Sequence, residues 1–270
     1  MELIGQGMEG AVYDLGDGSV RKVWFERRPQ DVLGLKAFLD ELPELPFRTP
    51  RIREITAGEN GFAVSVEDKL TGTPLHEAGL PEEVALDAFV AVVEALRGVQ
   101  PGPANKAMPV IGQPFWTGSW GESLASLVRR RAAVSKVHLE RDVPGFARLL
   151  EEVLAALNEL RAELSVVHGD ICPPNVLMRG SEVAAVLDWG FLSTAGDSTF
   201  EASLAAGFFD MYSPAARRLD DLLTARFADL GHDRERMRLY RRAYAIITAT
   251  IYDENAGDGH YTWCINQLTR

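Results

Sequence analysis

The chain has 270 residues, 46% of them hydrophobic and 25% charged, with 28 Lys+Arg against 39 Asp+Glu and a formal net charge of −11. This is the composition of a globular chain long enough for one large domain or two lobes, and its acidic excess argues against a nucleic-acid partner, which needs clustered Lys and Arg. Two cysteines, Cys172 and Cys264, build neither a disulfide framework nor a Cys-rich zinc site, and no apolar run approaches the roughly 20 residues of a membrane span. With no basic and apolar leader visible at the amino end, the expectation is a cytoplasmic protein with reduced thiols and no membrane partner.

The first seventy residues read mainly as strands. Leu3-Ile4, Ala11–Leu15 and Ser19–Phe25 are apolar-rich runs, and Asp17-Gly18 between the second and third is a hairpin signal. A helix is expected at about 31–42, where Val32, Leu35, Phe38, Leu39 and Leu42 recur at helical spacing. Pro43, Pro46 and Pro50 end it. Two more strands, 51–56 and 62–66, complete a small sheet unit.

From Pro81 the pattern turns helical. Residues 82–97 carry an apolar stripe, whereas 100–119 hold several prolines and glycines and read as an irregular connection. Helices follow near 121–131, ending in Arg129-Arg130-Arg131, and near 144–164. Two short apolar runs, 165–167 and 182–187, precede a largely helical tail from about 199. The expected organisation is therefore α+β, with a boundary at 67–74 between an N-terminal unit (1–70) and a mainly helical unit (71–270).

Gly5, Gly7 and Gly10 form a Gly-x-Gly-x-x-Gly run followed by Val12. A dinucleotide-binding turn would be followed by a helix. Here a hairpin follows, so the glycines suit either a plain turn or a backbone lying close over a triphosphate. Lys22 alternates with Val20 on one strand face. It is either a surface lysine or a cation awaiting phosphate oxygens and a helix carboxylate. The most informative stretch is His168-Gly169-Asp170, then Asn175-Val176-Leu177, then Asp188-Trp189-Gly190. Asp170, Asn175 and Asp188 are oxygen donors of the kind Mg²⁺ takes, and Mg²⁺ sites use few protein ligands plus substrate phosphates.

In this order the motifs resemble those of aminoglycoside phosphotransferases and their kinase-like relatives, across nearly the whole chain. The resemblance implies a two-lobed protein-kinase-like fold, with a small antiparallel sheet lobe above a larger helical lobe. ATP, with GTP as the alternative, would lie in the cleft together with Mg²⁺. By the match, Asp170 is the catalytic aspartate, Lys22 binds the α/β-phosphates, and Asn175 and Asp188 hold the metal. Leu177 forms the floor under the adenine and Val12 and Val20 its roof, while Glu67, Asp68, Lys69 and Leu70 supply the hinge. His168 braces the loop. The helix carboxylate that should pair with Lys22 falls on Asp31, with Glu41 as a rival. Gly190 and Glu201 depart from the family's usual glutamate and aspartate.

The acceptor side rests on carboxylates of the helical tail. Asp210, Asp220, Asp221, Asp253, Glu254 and Asp258 are either solvated helix faces or an acidic pocket for a cationic small molecule. Tyr252 through Asn255, near Trp263, is the favoured location. The protein is expected to act as a monomer or weak dimer.

Overall fold

Strands β1 (Glu2–Gln6), β2 (Gly10–Asp14) and β3 (Ser19–Trp24) form an antiparallel meander in the computed structural model, which describes residues 1–270. The β2–β3 turn forms where Asp17-Gly18 predicts it. Gly16 and Gly18 take φ of +82° and +85°, a region glycine enters at little cost, and the Asp14 carboxylate accepts the Gly16 N–H at 2.9 Å. After helix α1 (Pro29–Asp40), β4 (Ile52–Ala57) and β5 (Ala63–Asp68) complete a five-stranded sheet of order β1-β2-β3-β5-β4. The helix begins two residues earlier than its apolar spacing suggests. Pro29 suits the first turn, where its missing N–H would have no partner.

Residues 69–72 lead into a mainly helical body. It contains β6 (Thr73–Pro74), α2 (Glu82–Arg97), α3 (Pro103–Ala107), α4 (Trp120–Asp142), α5 (Phe146–Glu159), β7 (Leu164–Val167), β8 (Val176–Arg179), β9 (Glu182–Val186) and β10 (Thr194–Asp197). Helices α6 (Ser198–Phe208), α7 (Ala216–Asp229), α8 (Arg234–Thr248) and α9 (Gly259–Thr269) close the chain. Strands β6, β8 and β9 form one small sheet, and β7 pairs with β10 in another. No helix is long and apolar enough to cross a membrane.

Three readings are corrected. Helix α4 does not end at Arg131 but runs on to Asp142. Its buried stripe continues through the small residues Ala132 and Ser135, which carry little hydrophobic signal, to Leu139. Within it Arg129 and Arg130 are exposed, while Arg131 donates from Nε to the Ile247 carbonyl at 2.9 Å. Helix α5 stops at Glu159, and Leu164 already belongs to β7. The connection 100–119 contains α3, whose first-turn N–H groups at Ala104 and Asn105 donate to the distant Glu41 carboxylate, each at 3.0 Å. A cap supplied from another part of the chain leaves no local sequence trace.

One apolar core runs from the sheet into the helical body. It joins Trp24, Val32, Leu35 and Phe38 to Phe89 on α2, Val176 and Met178 on β8, and Trp189. The Phe38 and Trp189 rings lie 5.9 Å apart. Arg48 also bonds by its backbone to Ala184 and Val186, tying the segment after α1 to β9. These contacts fix the sheet above the loops that follow β7 and β9.

Candidate active site

The glycine-rich turn joins β1 to β2 and is closed by Gly7 N–H donating to the Gly10 carbonyl at 3.0 Å. Its glycines do different things. A Cβ on Gly10 would lie 2.4 Å from the Val23 carbonyl oxygen, so close strand packing requires glycine there. Gly5 and Gly7 meet nothing within 4 Å and leave the turn open.

Val12, Val20 and Lys22 share one face of the β2–β3 pair. Lys22 Nζ lies 3.7 Å from Asp188 Oδ1, 3.9 Å from Glu9 Oε2 and 3.9 Å from the Trp24 ring centroid. Neither candidate helix carboxylate reaches it. Asp31 caps α1 by accepting the Arg28 N–H at 2.8 Å, and Glu41 is committed to α3. The carboxylates beside Lys22 are instead Asp188 and, from inside the glycine-rich turn, Glu9. Its low-specificity position within a Gly-x-Gly-x-x-Gly run gave no signal in the sequence.

The segment between sheet and helical body passes directly over Leu177, since a Cβ on Gly72 would fall 2.8 Å from Leu177 Cβ. Leu177 is buried, as is Val20. Of the four residues expected at the hinge, Asp68 and Lys69 already donate their N–H groups, to the Arg51 and Gly18 carbonyls, each at 3.0 Å. Glu67 turns its side chain inward, accepting from Ser65 Oγ at 2.6 Å, and Ser65 accepts from Trp24 Nε1 at 3.0 Å. The Leu70 N–H, in the same expected hinge, has no partner within the chain.

The loop after β7 carries Asp170. Gly169 takes φ of +80°, and a Cβ there would sit 2.3 Å from Leu192 Cβ, so only glycine fits the bend. His168 is fully buried; its Nε2 donates to the Leu187 carbonyl at 2.8 Å, and its Nδ1 accepts the Asp170 N–H at 3.1 Å. Burial pushes its pKa down to about 4, so it is a neutral brace between the two acidic loops. Ser193 adds a second brace, accepting the Gly190 N–H at 2.8 Å and donating to the His168 carbonyl at 2.9 Å.

Asn175 donates from Nδ2 to the Asp170 carbonyl at 2.9 Å, which fixes the two residues relative to each other and leaves Oδ1 free of protein partners. Its own carbonyl accepts the Leu187 N–H at 2.8 Å, bringing it next to Asp188. Asp188 is a non-glycine residue at φ +55°, a costly conformation of the kind that persists at functional positions, and its side chain is largely exposed. Burial, then the negative charges of Asp188, Glu201 and Glu9, push Asp170 up to about 8. Carboxylates crowded this closely favour a cation among them. No group of three or more His, Cys, Asp or Glu side chains is arranged to hold a metal by itself. Asn175 Oδ1 and Asp188 therefore suit Mg²⁺, which takes few protein ligands and completes its shell with water and phosphate.

Cys172, in the same loop, has its thiol pushed up by burial and by Asp170, which makes it a poor nucleophile.

The acidic residues of the tail mostly build structure. Asp253 accepts the N–H groups of Asn255 and Gly257, each at 2.9 Å, and Asp258 caps α9 through the Tyr261 N–H. Glu254 is exposed. Asp210 shapes the turn at 212–213, and Asp220 is buried between Arg241 and Arg270, each at 3.0 Å. Asp221 pairs only with Arg217 on the surface. Trp263 is buried and stacks on His260. Of the tail residues, the Asp170 charge reaches both the buried Tyr244 and the more exposed Tyr252. The Tyr252 hydroxyl pKa is raised by burial and by the Asp170 charge, and its ring packs edge-on to His260 at 4.7 Å.

A lysine under a glycine-rich turn, a braced aspartate, and an Asn–Asp pair beside it form a phosphoryl-transfer constellation, and comparison with known proteins points the same way. The chain is 29% identical over 225 residues to streptomycin 3''-kinase of Streptomyces griseus, spanning 78% of this chain and 79% of that one. A thermostable mutant of aminoglycoside phosphotransferase APH(4)-Ia, in ternary complex with ADP and hygromycin B, superposes with a TM-score of 0.76 at 15% identity, covering 99% of this chain and 91% of that one. Macrolide 2'-phosphotransferase MphH from Brachybacterium faecium superposes with a TM-score of 0.60 at 18% identity, covering 99% and 90%. These likenesses establish the protein-kinase-like fold. The family model described as "Phosphotransferase enzyme family" matches residues 1–240, a span that holds the glycine-rich turn, Lys22, Asp170, Asn175 and Asp188 alike, and the chain belongs to that family.

Proposed function

We propose that this phosphotransferase moves the γ-phosphate of ATP to a hydroxyl of an aminoglycoside antibiotic. The observation that carries the reading is the meeting of Lys22 with Asp188 at 3.7 Å, beside the loop that holds Asp170 and Asn175. That arrangement gathers a cation suited to phosphate, two metal-suited oxygens and one further carboxylate. The relative that phosphorylates streptomycin and the similar structure that holds hygromycin B favour an aminoglycoside as the acceptor.

In this reading Lys22 holds the α/β-phosphates, and the base lies between Leu177 below and Val12 and Val20 above, with the Leu70 N–H as hinge donor. Asp170 orients the acceptor hydroxyl and takes its proton as the bond to phosphorus forms. His168 and Asn175 keep the Asp170 carboxylate in place, so catalysis is largely positioning. Bound Mg²⁺, held by Asn175 and Asp188, would neutralise charge on the phosphates.

Residues 1–70 then form the nucleotide-binding unit, and 71–270 carry the catalytic loop and acceptor side. The partner is a cationic small molecule met in the cytoplasm by a monomer or weak dimer. Asp253, Glu254 and Asp258 remain on the acceptor side as charge donors around Tyr252, and two of the three also hold the loop.

The test is turnover of purified protein with Mg²⁺ and either ATP or GTP on a panel that includes streptomycin, hygromycin B and a macrolide. Phosphorylation of at least one aminoglycoside is expected. Inert aminoglycosides with steady macrolide turnover would move the acceptor class, and failure to bind either nucleotide would overturn the reading.

A further inference from the structure

Beneath the glycine-rich turn Lys22, which Asp188 also approaches at 3.7 Å, and Arg27 share one carboxylate, that of Glu9. Glu9 projects from that turn so that Oε2 lies 3.9 Å from Lys22 Nζ, while Oε1 accepts from Arg27 Nη2. Both cations sit against Trp24, Lys22 Nζ at 3.9 Å and Arg27 Cζ at 5.1 Å from its ring centroid. Their side chains are only 12% and 19% exposed.

Arg27 also abuts the second acidic loop. Its Nη1 lies 2.9 Å from where a Cβ on Gly190 would stand, so the guanidinium fills the space beside the turn that carries Asp188. Arg27 thus lies between the glycine-rich turn and the Asp-Trp-Gly triplet, on the same side of the sheet as Lys22.

Two cations held over one ring repel each other unless an anion lies between them. Glu9 supplies that anion in the free protein. A carboxylate bridging a lysine and an arginine occupies the place that phosphate oxygens would take, because both cations bind the two groups in the same way. A triphosphate drawn under this turn carries more negative charge than Glu9 and could not share the position with it.

We propose that Lys22 and Arg27 form a two-cation clamp for the nucleotide polyphosphate, and that Glu9 is its built-in occupant, displaced when nucleotide binds. The inference rests on the nucleotide reading above and adds to it a second phosphate-binding residue and a competitor for the site. It also gives Gly190 a purpose: its missing side chain leaves room for the guanidinium.

The test is equilibrium binding of ATP and of adenosine to the full chain as wild type, Glu9→Gln, Arg27→Gln, Arg27→Lys and the double variant Glu9→Gln/Arg27→Gln. Adenosine, which has no phosphates, reports whether the base pocket is intact in each variant. Glu9→Gln is expected to tighten ATP about tenfold and leave adenosine unchanged. Arg27→Gln is expected to weaken ATP about tenfold, Arg27→Lys less, and the Glu9→Gln gain should shrink in the double variant. ATP binding by Glu9→Gln that equals or falls below wild type overturns the displacement. Unchanged ATP affinity in Arg27→Gln overturns the clamp. Wild-type protein that binds adenosine and ATP equally also overturns the clamp while leaving the base site standing. Wild-type protein that binds neither overturns the nucleotide reading itself, and the clamp with it.

Discussion

Glu201 holds the Asp170 loop by its backbone: its Oε2 accepts the N–H of His168 and, at 2.9 Å, that of Gly169, while Oε1 has no hydrogen-bond partner although the residue is 1% exposed. Burial pushes its carboxyl up to about 7, against the pull of the two N–H donors. The folded state therefore holds this proton more tightly than the unfolded chain, whose carboxyl titrates near 4.5. The stability it contributes is present below pH 4.5 and is lost as pH rises through about 7. Glu201→Gln cannot titrate, so its stability relative to wild type is expected to rise by about 2–3 kcal/mol between pH 5 and pH 8. Urea unfolding at the two pH values measures this, and a difference that stays flat with pH contradicts it.

The glycine-rich turn separates folding from binding. Gly10→Ala drives a Cβ into the Val23 carbonyl, and should cost about 2 kcal/mol or more because the β2–β3 ladder must open. Gly5→Ala and Gly7→Ala place their methyl groups in open space. Both should keep stability within about 1 kcal/mol of wild type while raising the KM for ATP, since the turn can no longer lie close to the phosphates. Thermal melts and ATP saturation curves on the three variants check both halves. Equal loss of stability at all three positions would contradict the division.

Asp170→Asn tests the catalytic loop with minimal change of shape. The amide retains the size of the side chain but removes the carboxylate proposed to take the acceptor proton. A fall in kcat of about 10²–10⁴ is expected, with ATP affinity within a few-fold of wild type. Isothermal titration with ATP and single-turnover kinetics separate the two effects. Loss of nucleotide binding in parallel with turnover would place Asp170 in the phosphate site instead.

The parts legible in the sequence were those written locally. The hairpin at Asp17-Gly18, the helix at 82–97 and the strand-loop-strand passage through Asp170 and Asp188 depend on neighbouring residues and were visible as patterns. What was hidden depends on distant partners. Helix α3 is capped by Glu41, more than sixty positions earlier, and α4 is hard to follow where its buried stripe thins to Ala132 and Ser135. The pairing of Lys22 was misplaced because spacing along α1 says nothing of a carboxylate arriving from the turn above it. The place of Asp220 is hidden for the same reason: whether it faces a ligand or a buried arginine is decided by α8 and the C-terminus, not by its neighbours.

Of the two tyrosines that the Asp170 charge reaches, Tyr244 is buried and Tyr252 is not. The Tyr252 ring remains 42% exposed, and Tyr212, 66% exposed, lies close by against Gly259. An exposed ring on the side of Asp170 proposed for the acceptor suits a cationic sugar, whose charged nitrogen is attracted to the face of the ring by about 0.5–2 kcal/mol. Tyr252→Ala should therefore raise the KM for a productive aminoglycoside several-fold to about thirtyfold, leaving the KM for ATP unchanged. Tyr252→Phe keeps the ring and should retain most of the wild-type value. Initial-rate kinetics varying both substrates distinguish these outcomes. A parallel rise in the KM for ATP would place the ring in the nucleotide site. Equal damage from Phe and Ala would move the interaction from the ring face to the hydroxyl, where burial and the Asp170 charge already hold the proton tightly.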